Sequence, residues 1–128
     1  MKVKALDHIV LKSLDVSRSL RWYMDVLDLE GVRIEEWQRG EAPFPSVRID
    51  EGTLIDLFEA GSGLDKAAGN LDHFCLVLDG AEWQTLVDSG SVQIVLGPVE
   101  VFGARGMGES VYTHDPDGNT VELRRYPE

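Results

Sequence analysis

His114-Asp115-Pro116-Asp117-Gly118-Asn119-Thr120-Val121-Glu122-Leu123 is the stretch of this 128-residue chain from which the rest can be read. Asp at its turn's first position, Pro at the second and Gly at the fourth suit a type I turn, and alternating residues flank it. The segment therefore reads as a hairpin that delivers Glu122 on the returning strand. Alone, it would be a well-made turn with a solvated glutamate. An earlier segment changes that: Thr53-Leu54-Ile55-Asp56-Leu57 resembles Asn119-Thr120-Val121-Glu122-Leu123, with Asp56 and Glu122 at an offset of 66 (56 to 122). Leu6-Asp7-His8 matches Leu71-Asp72-His73 at an offset of 65 (8 to 73). A repeat that shows in residues as well as spacing implies two equivalent halves.

Each half follows one plan. Ala5 to Lys12 is an apolar, β-branched run of strand length, and Ser13 or Asp15 then caps a helix. Val16, Leu20, Tyr23, Met24 and Leu27 form one apolar stripe through about Asp28, and Gly31 ends the element. Val32 to Trp37 alternates as a second strand, Gly40 to Pro45 reads as a loop, and Ser46–Asp50 and Thr53–Glu59 are strands joined at Glu51-Gly52. The second half offers a strand over residues 70–78, a helix from Ala81 to Ser89 stopped by Gly90, and strands at 92–96, 109–114 and 120–126. The expectation is α+β: two tandem βαβββ modules in a single domain spanning 1–128, module 1 at about 4–60, a glycine-containing linker at about 61–70 and module 2 at about 71–127.

Side chains alternate faces along a strand, so parity decides which groups can meet. Ile9 and Leu11 oppose His8; Phe74 and Leu76 oppose His73. Likewise Ile55 and Leu57 oppose Asp56, while Val121 and Leu123 oppose Glu122. If helices cover the aliphatic faces and the modules pack about a pseudo-twofold axis, His8, Asp56, His73 and Glu122 converge in one cleft. Imidazole nitrogen and carboxylate oxygen are the donors expected of a divalent Zn, Ni, Mn, Co or Fe ion. Asp56 is one methylene shorter than Glu, leaving room for a water between it and the ion. Trp37, Arg48, Phe58, Ser110, Tyr112 and His114 share the inward parity, and Arg105 lies in the loop Gly103-Ala104-Arg105-Gly106-Met107-Gly108, placed to close over a ligand. Of these, Trp37, Arg48, Phe58, Arg105, Ser110 and Tyr112 are the candidate substrate contacts. Tyr112 is also a candidate catalytic residue, a phenol able to hydrogen-bond a bound oxygen. Trp37 and Phe58 suit ordinary packing equally well, and Arg48 and Arg105 suit surface ion pairs. His114, at the turn, is expected to be exposed.

Composition limits the partners. A formal charge of -11, with 12 Lys and Arg against 23 Asp and Glu, disfavours nucleic acid and anionic membrane surfaces. No continuous apolar run reaches the length of a signal peptide or membrane span, so a cytoplasmic protein acting on a small molecule is the expectation. The single Cys75 excludes an internal disulfide and, in its apolar run, reads as buried filler. There is neither a Gly-x-Ser-x-Gly elbow nor a Cys-x-x-Cys pair, and the glycine-rich loop matches no nucleotide fingerprint.

These residues resemble the vicinal oxygen chelate superfamily, which includes glyoxalase I, fosfomycin-resistance proteins, methylmalonyl-CoA epimerase, extradiol dioxygenases and bleomycin-resistance proteins. The resemblance rests on Leu6-Asp7-His8-Ile9, Ser19-Leu20-Arg21-Trp22-Tyr23 running to Val26-Leu27-Asp28-Leu29, Asp72-His73-Phe74, and Asp115-Pro116-Asp117-Gly118-Asn119 leading to Val121-Glu122-Leu123. It implies paired modules forming an open, cup-shaped mixed sheet around a divalent metal, with His8, Asp56, His73 and Glu122 at the ligand positions. Glyoxalase-like members usually carry Glu where this chain has Asp56; fosfomycin-resistance enzymes and extradiol dioxygenases use two His and one Glu. The resemblance also implies a homodimer, and a metal acting as Lewis acid toward two neighbouring substrate oxygens, with Glu122 as a ligand that can leave to abstract a proton. The activity so implied is a metal-dependent glyoxalase-type lyase or isomerase, or a related addition enzyme. The alternatives are an Fe(II) ring-cleaving dioxygenase and a metal-free protein of the bleomycin-resistance kind, which would not need His8 and His73.

Overall fold

The computed structural model describes residues 5–60 and 71–128, so the expected linker at about 61–70 lies outside the described residues. The chain divides into two units, residues 1–65 and 66–128.

In the first unit, β1 (His8–Ser13) leads into α1 (Val16–Asp25), then β2 (Glu30–Val32), α2 (Ile34–Gln38), β3 (Ser46–Asp50) and β4 (Thr53–Glu59). Asp15 is the cap, its side chain accepting from the Arg18 amide at 3.0 Å. Ser13 instead accepts from the Asp15 amide and meets the Ser19 hydroxyl at 3.0 Å inside the core. The helix ends a turn sooner than its apolar stripe, because Asp28 adopts φ 57 and carries the chain away. The second strand is also shorter than the alternation predicts. Arg33, at φ 61, breaks it, and the amide of Trp37 donates to the Arg33 carbonyl at 2.9 Å to close a helical turn. Trp37 consequently sits on a short helix, not a strand, and strand parity says nothing about its direction.

The sheet order is β1-β4-β3-β2, with β1 parallel to β4 and the other pairs antiparallel. α1 packs on β3 and β4. Leu11, Val16, Leu20, Tyr23, Val47, Ile55 and Leu57 are buried, the stripe of α1 against one aliphatic sheet face. His8, Asp56 and Ser46 therefore occupy the opposite face.

The second unit repeats this topology without the extra helix: β5 (Phe74–Val77), α3 (Gly80–Ser89), β6 (Leu96–Gly103), β7 (Gly106–His114) and β8 (Thr120–Arg125), in sheet order β5-β8-β7-β6. Asp79 caps α3 by accepting from the Ala81 and Glu82 amides, and Gly90, at φ 73, stops it. Trp83 is the central core side chain, its indole N–H donating to the Leu123 carbonyl at 2.8 Å. The turn before β8 forms as its sequence predicts: the Gly118 amide donates to the Asp115 carbonyl at 2.8 Å, and the Asp115 carboxylate accepts from Asp117 and Asn119.

Two expectations fail here. β6 begins at Leu96 and does not occupy 92–96, and residues 103–108 are no open loop: Phe102 pairs with Met107 and Gly103 with Gly106, so Ala104-Arg105 is the two-residue tip of a hairpin. Gly106, at φ 99, meets the backbone demand of so tight a reversal.

Candidate functional site

In the first unit, His8 and Asp56 lie on neighbouring strands and share a face. The register pairs Val10 with Asp56, placing His8 one step away diagonally. Nε2 of His8 is 3.9 Å from Oδ2 of Asp56, and its Nδ1 is 2.7 Å from Oδ2 of Asp7. The Asp7 hydrogen bond raises the imidazole above its ordinary pKa, against the opposing pull of desolvation. The other oxygen of Asp56 is committed: Ser46, directly across the ladder, donates to Oδ1 at 2.6 Å, and Arg33 in turn donates to Ser46 at 2.7 Å.

The second unit holds the same arrangement more tightly. Nε2 of His73 is 3.2 Å from Oε1 of Glu122, and Nδ1 is 2.6 Å from Oδ2 of Asp72. Ser110 donates to Oε2 of Glu122 at 2.7 Å, and Arg124 donates to the same oxygen from Nη2 at 3.0 Å and from Nε at 3.3 Å. Glu122 is only 4% exposed and Arg124 2%. Burial by itself would raise the Glu122 carboxyl; hydrogen bonds from Ser110, Arg124, Tyr112 and Cys75 outweigh it and hold the group below its ordinary value. Partial desolvation of the thiol, in a residue otherwise exposed, together with Glu122 beside it pushes Cys75 up to about 11. Desolvation and the bond to Glu122 likewise raise Tyr112, whose ring meets His73 edge-on at 5.7 Å.

Both imidazoles thus present Nε2 to a carboxylate oxygen while a neighbouring Asp takes Nδ1–H, the orientation found around metal-bound histidines. With bonds of about 2.1 Å, two donors stand about 3.0 Å apart at a right angle and about 3.4 Å apart at a tetrahedral one. His73 and Glu122 fall inside that interval, so their donors fit an ion as they stand. His8 and Asp56 are wider and must close by roughly half an ångström, or reach the ion through the water that aspartate's shorter side chain admits. Among the described residues no group of three or more His, Cys, Asp and Glu side chains is gathered to hold a metal ion. What the structure brings together are two pairs, each within its own unit.

The remaining predicted contacts divide. Tyr112 faces the pair in the second unit, its ring against His73 and its position directly across the ladder from Glu122. Ser110 is fully buried and spends its hydroxyl on Glu122, so it positions the carboxylate and presents no surface to a substrate. Arg48 is turned away, donating to the carbonyls of Asp50 and Glu51 at the β3–β4 turn. Phe58 lies on the site face of its sheet, stacked near Phe44 with ring centroids 4.4 Å apart. Arg105 lies over the Tyr126 ring at 4.3 Å. His114 is exposed, as expected. Cys75 is not the buried filler its apolar neighbours suggest: the residue is exposed and stands opposite Glu122 in the parallel β5–β8 pair.

Sequence reasoning missed Asp7, Asp72, Ser46, Arg33 and Arg124 as partners of the site. For the two aspartates the signal was present, since Asp-His is the repeated dipeptide itself. Arg124 could have been found by parity, being two residues beyond Glu122 on the same strand. Beside it lies a cleft of about 290 Å³, lined among others by His73, Cys75, Val77, Phe102, Glu122 and Tyr126.

The sequence profile of the glyoxalase/bleomycin resistance protein/dioxygenase superfamily matches residues 5–123. The chain belongs to this superfamily. It is similar to the virulence protein STM3117 of Salmonella typhimurium, with 30% identity over 98% of this chain and 87% of that protein. A glyoxalase domain-containing protein, RDO1, of Mycosarcoma maydis is 29% identical over 98% of this chain and 70% of its own length. Among solved structures, the VPC_CASS1 protein from the mobile metagenome of V. Pseudocholerae superposes with a TM-score of 0.77 at 28% identity, covering 100% of this chain and 98% of that one. The two four-stranded mixed sheets are those of this superfamily's fold, and among the described residues no helix is long and apolar enough to cross a membrane.

Proposed function

We propose that the protein is a metal-dependent enzyme of the glyoxalase type, a lyase, an isomerase or a related addition enzyme, acting on a small oxygen-rich substrate in a homodimer. In this reading His8, His73 and Glu122 hold a divalent ion, with Asp56 as a fourth ligand, and the two pairs come from one chain or from two. The observation that carries it is the His73 and Glu122 pair: a 3.2 Å donor separation, an aspartate on the far imidazole nitrogen, and a carboxylate with one oxygen tied and the other directed at Nε2. Bound there, the ion would supply Lewis acidity toward two neighbouring oxygens of a substrate.

The chain's own residues divide the remaining work. Asp72 fixes the tautomer and direction of His73. Ser110 and Arg124 hold Oε2 of Glu122, so the carboxylate keeps its charge and its place. Tyr112, directly across the ladder from Glu122, stands where its phenol can offer a hydrogen bond to a substrate oxygen. A carboxylate tied by three donor bonds and held below its ordinary pKa is a poor candidate for leaving the ion to take a proton. An isomerisation at this site would therefore take its base from elsewhere, with Glu122 kept as a ligand, while addition chemistry needs no such departure. The test is metal content of tag-free protein followed by a panel of hemithioacetals, epoxides and catechols. Turnover that needs the metal and consumes an epoxide or hemithioacetal supports the reading; Fe(II)-dependent oxygen uptake with catechols selects the dioxygenase. Protein that takes up no divalent metal ends both.

A further inference from the structure

Arg124 does two things at once. Its five N–H donors are all engaged: Nε and Nη2 on Oε2 of Glu122, Nη2 also on the Phe102 carbonyl at 2.9 Å, and Nη1 on the carbonyls of Val101 at 3.2 Å and Gly106 at 3.4 Å. Those three carbonyls belong to the tip of the β6–β7 hairpin. The Tyr126 ring lies 5.3 Å from the guanidinium, and the Tyr126 hydroxyl accepts from the Arg105 amide at 3.1 Å, a further contact that holds the tip. The fit leaves no room: a Cβ at Gly103 would strike Nη1 of Arg124 and the Tyr126 hydroxyl. Phe102, whose carbonyl is one of the three, is 84% exposed and lines the cleft beside His73 and Glu122. An aromatic ring left in solvent at the edge of such a cleft is a wall awaiting an apolar group.

We propose that Arg124 is a positioning residue that fixes Glu122 as a one-oxygen metal ligand and, with the same guanidinium, fixes the β6–β7 tip as the wall of the adjoining cleft. One side chain then sets both the chelated end of the substrate and the apolar end that packs against Phe102. A lysine could not replace it, having three donors against five and no planar fork. The inference rests on the metal-dependent reading above, but part of it stands without a metal.

Its test uses the full chain, Ni²⁺ alone as probe, and hydrogen exchange at the amides of residues 102–107. Arg124→Lys keeps the charge; Gly103→Ala leaves every proposed ligand untouched and disturbs the seat of the guanidinium and the Tyr126 hydroxyl beside it. Both should weaken Ni²⁺ binding about tenfold and speed tip exchange about tenfold. Phe102→Ala, which retains its carbonyl, should leave Ni²⁺ affinity unchanged. Wild-type Ni²⁺ affinity in Gly103→Ala alongside faster tip exchange would show that tip and ligand are independent, and the inference falls; unchanged exchange in Arg124→Lys overturns it equally. Should Arg124→Lys fail to fold, Gly103→Ala and Glu122→Gln decide. If the wild-type protein takes up no Ni²⁺, the metal-dependent reading fails while the coupling is still measured: Glu122→Gln then accelerates exchange at the tip, or the inference is wrong.

Discussion

Replacing Asp72 by Asn separates orientation of a ligand from the ligand itself. The Asp72 carboxylate accepts the Nδ1 proton of His73 at 2.6 Å, leaving the Nε2 lone pair directed at the space beside Glu122. Losing such an outer partner costs about 10- to 100-fold in metal affinity. The Asp72 side chain is 94% exposed, so water competes for the same proton and the effect belongs at the low end, about tenfold. Removing the imidazole is a larger perturbation. Four-ligand zinc sites bind with about 10–16 kcal/mol, so one ligand in four carries about 2.5–4 kcal/mol, roughly two to three decades of Kd. Calorimetric titration of tag-free apoprotein with Ni²⁺ or Zn²⁺ should therefore give a ladder: wild type, Asp72→Asn about tenfold weaker, His73→Ala at least about 100-fold weaker, all with the same circular dichroism. Unchanged binding in His73→Ala removes the site. Equal losses in both variants would mean that Asp72 is itself a ligand, and the argument from orientation would fail.

Three further outcomes follow from the same geometry. Because hydrogen bonds hold Glu122 below its ordinary value of 4.5, its ionised form stabilises the folded state fully above the unfolded value, and that stability is lost as pH falls through the depressed folded value. Urea unfolding across the acid range should show this limb, and Glu122→Gln should flatten it; an unaltered limb would refute the assignment. Cys75, with its thiol at about 11, should alkylate slowly with iodoacetamide at pH 8, and Glu122→Gln, by removing the neighbouring negative charge, should speed the reaction; a slower or unchanged rate counts against it. Trp83→Phe leaves the buried Leu123 carbonyl without its indole donor and a smaller ring in the core, a loss of at least about 1–3 kcal/mol readable as a lower urea midpoint.

The fold was legible because the chain states it twice. Leu6-Asp7-His8 and Leu71-Asp72-His73 mark equivalent first strands, and period-two alternation around Asp56 and Glu122 places the ligand candidates opposite the aliphatic faces, as the buried Ile55, Leu57, Val121 and Leu123 confirm. What misled was local backbone geometry. Arg33 and Asp28 adopt left-handed conformations that no hydropathy pattern announces, so α1 ends early and Trp37 moves from a strand to a helix. The Gly103 to Gly108 stretch has the composition of a loop, yet it pairs as a hairpin, with the buried Arg124 bonded to the Gly106 carbonyl within it and to the Val101 and Phe102 carbonyls just before it. Contacts of that kind join residues 18 to 23 positions apart, beyond the reach of periodicity.

The same register explains how a chain with Asp in one half and Glu in the other keeps two similar half-sites. Ser46 stands directly across from Asp56, whereas the residue directly across from Glu122 is Tyr112, and Ser110 lies diagonally, opposite Arg124. A glutamate, one methylene longer, carries its carboxylate past Tyr112 to reach that diagonal hydroxyl; an aspartate reaches only the serine in its own row. Each acid therefore has its serine at the distance its own length requires, and each has one oxygen tied and one left facing an imidazole. Asp56→Glu alone would push the carboxylate beyond Ser46, so the shorter acid is matched to its donor rather than a defect in the repeat. What is equivalent between the halves is not the residue but the setting of the carboxylate: one oxygen fixed by a serine, the other facing an imidazole.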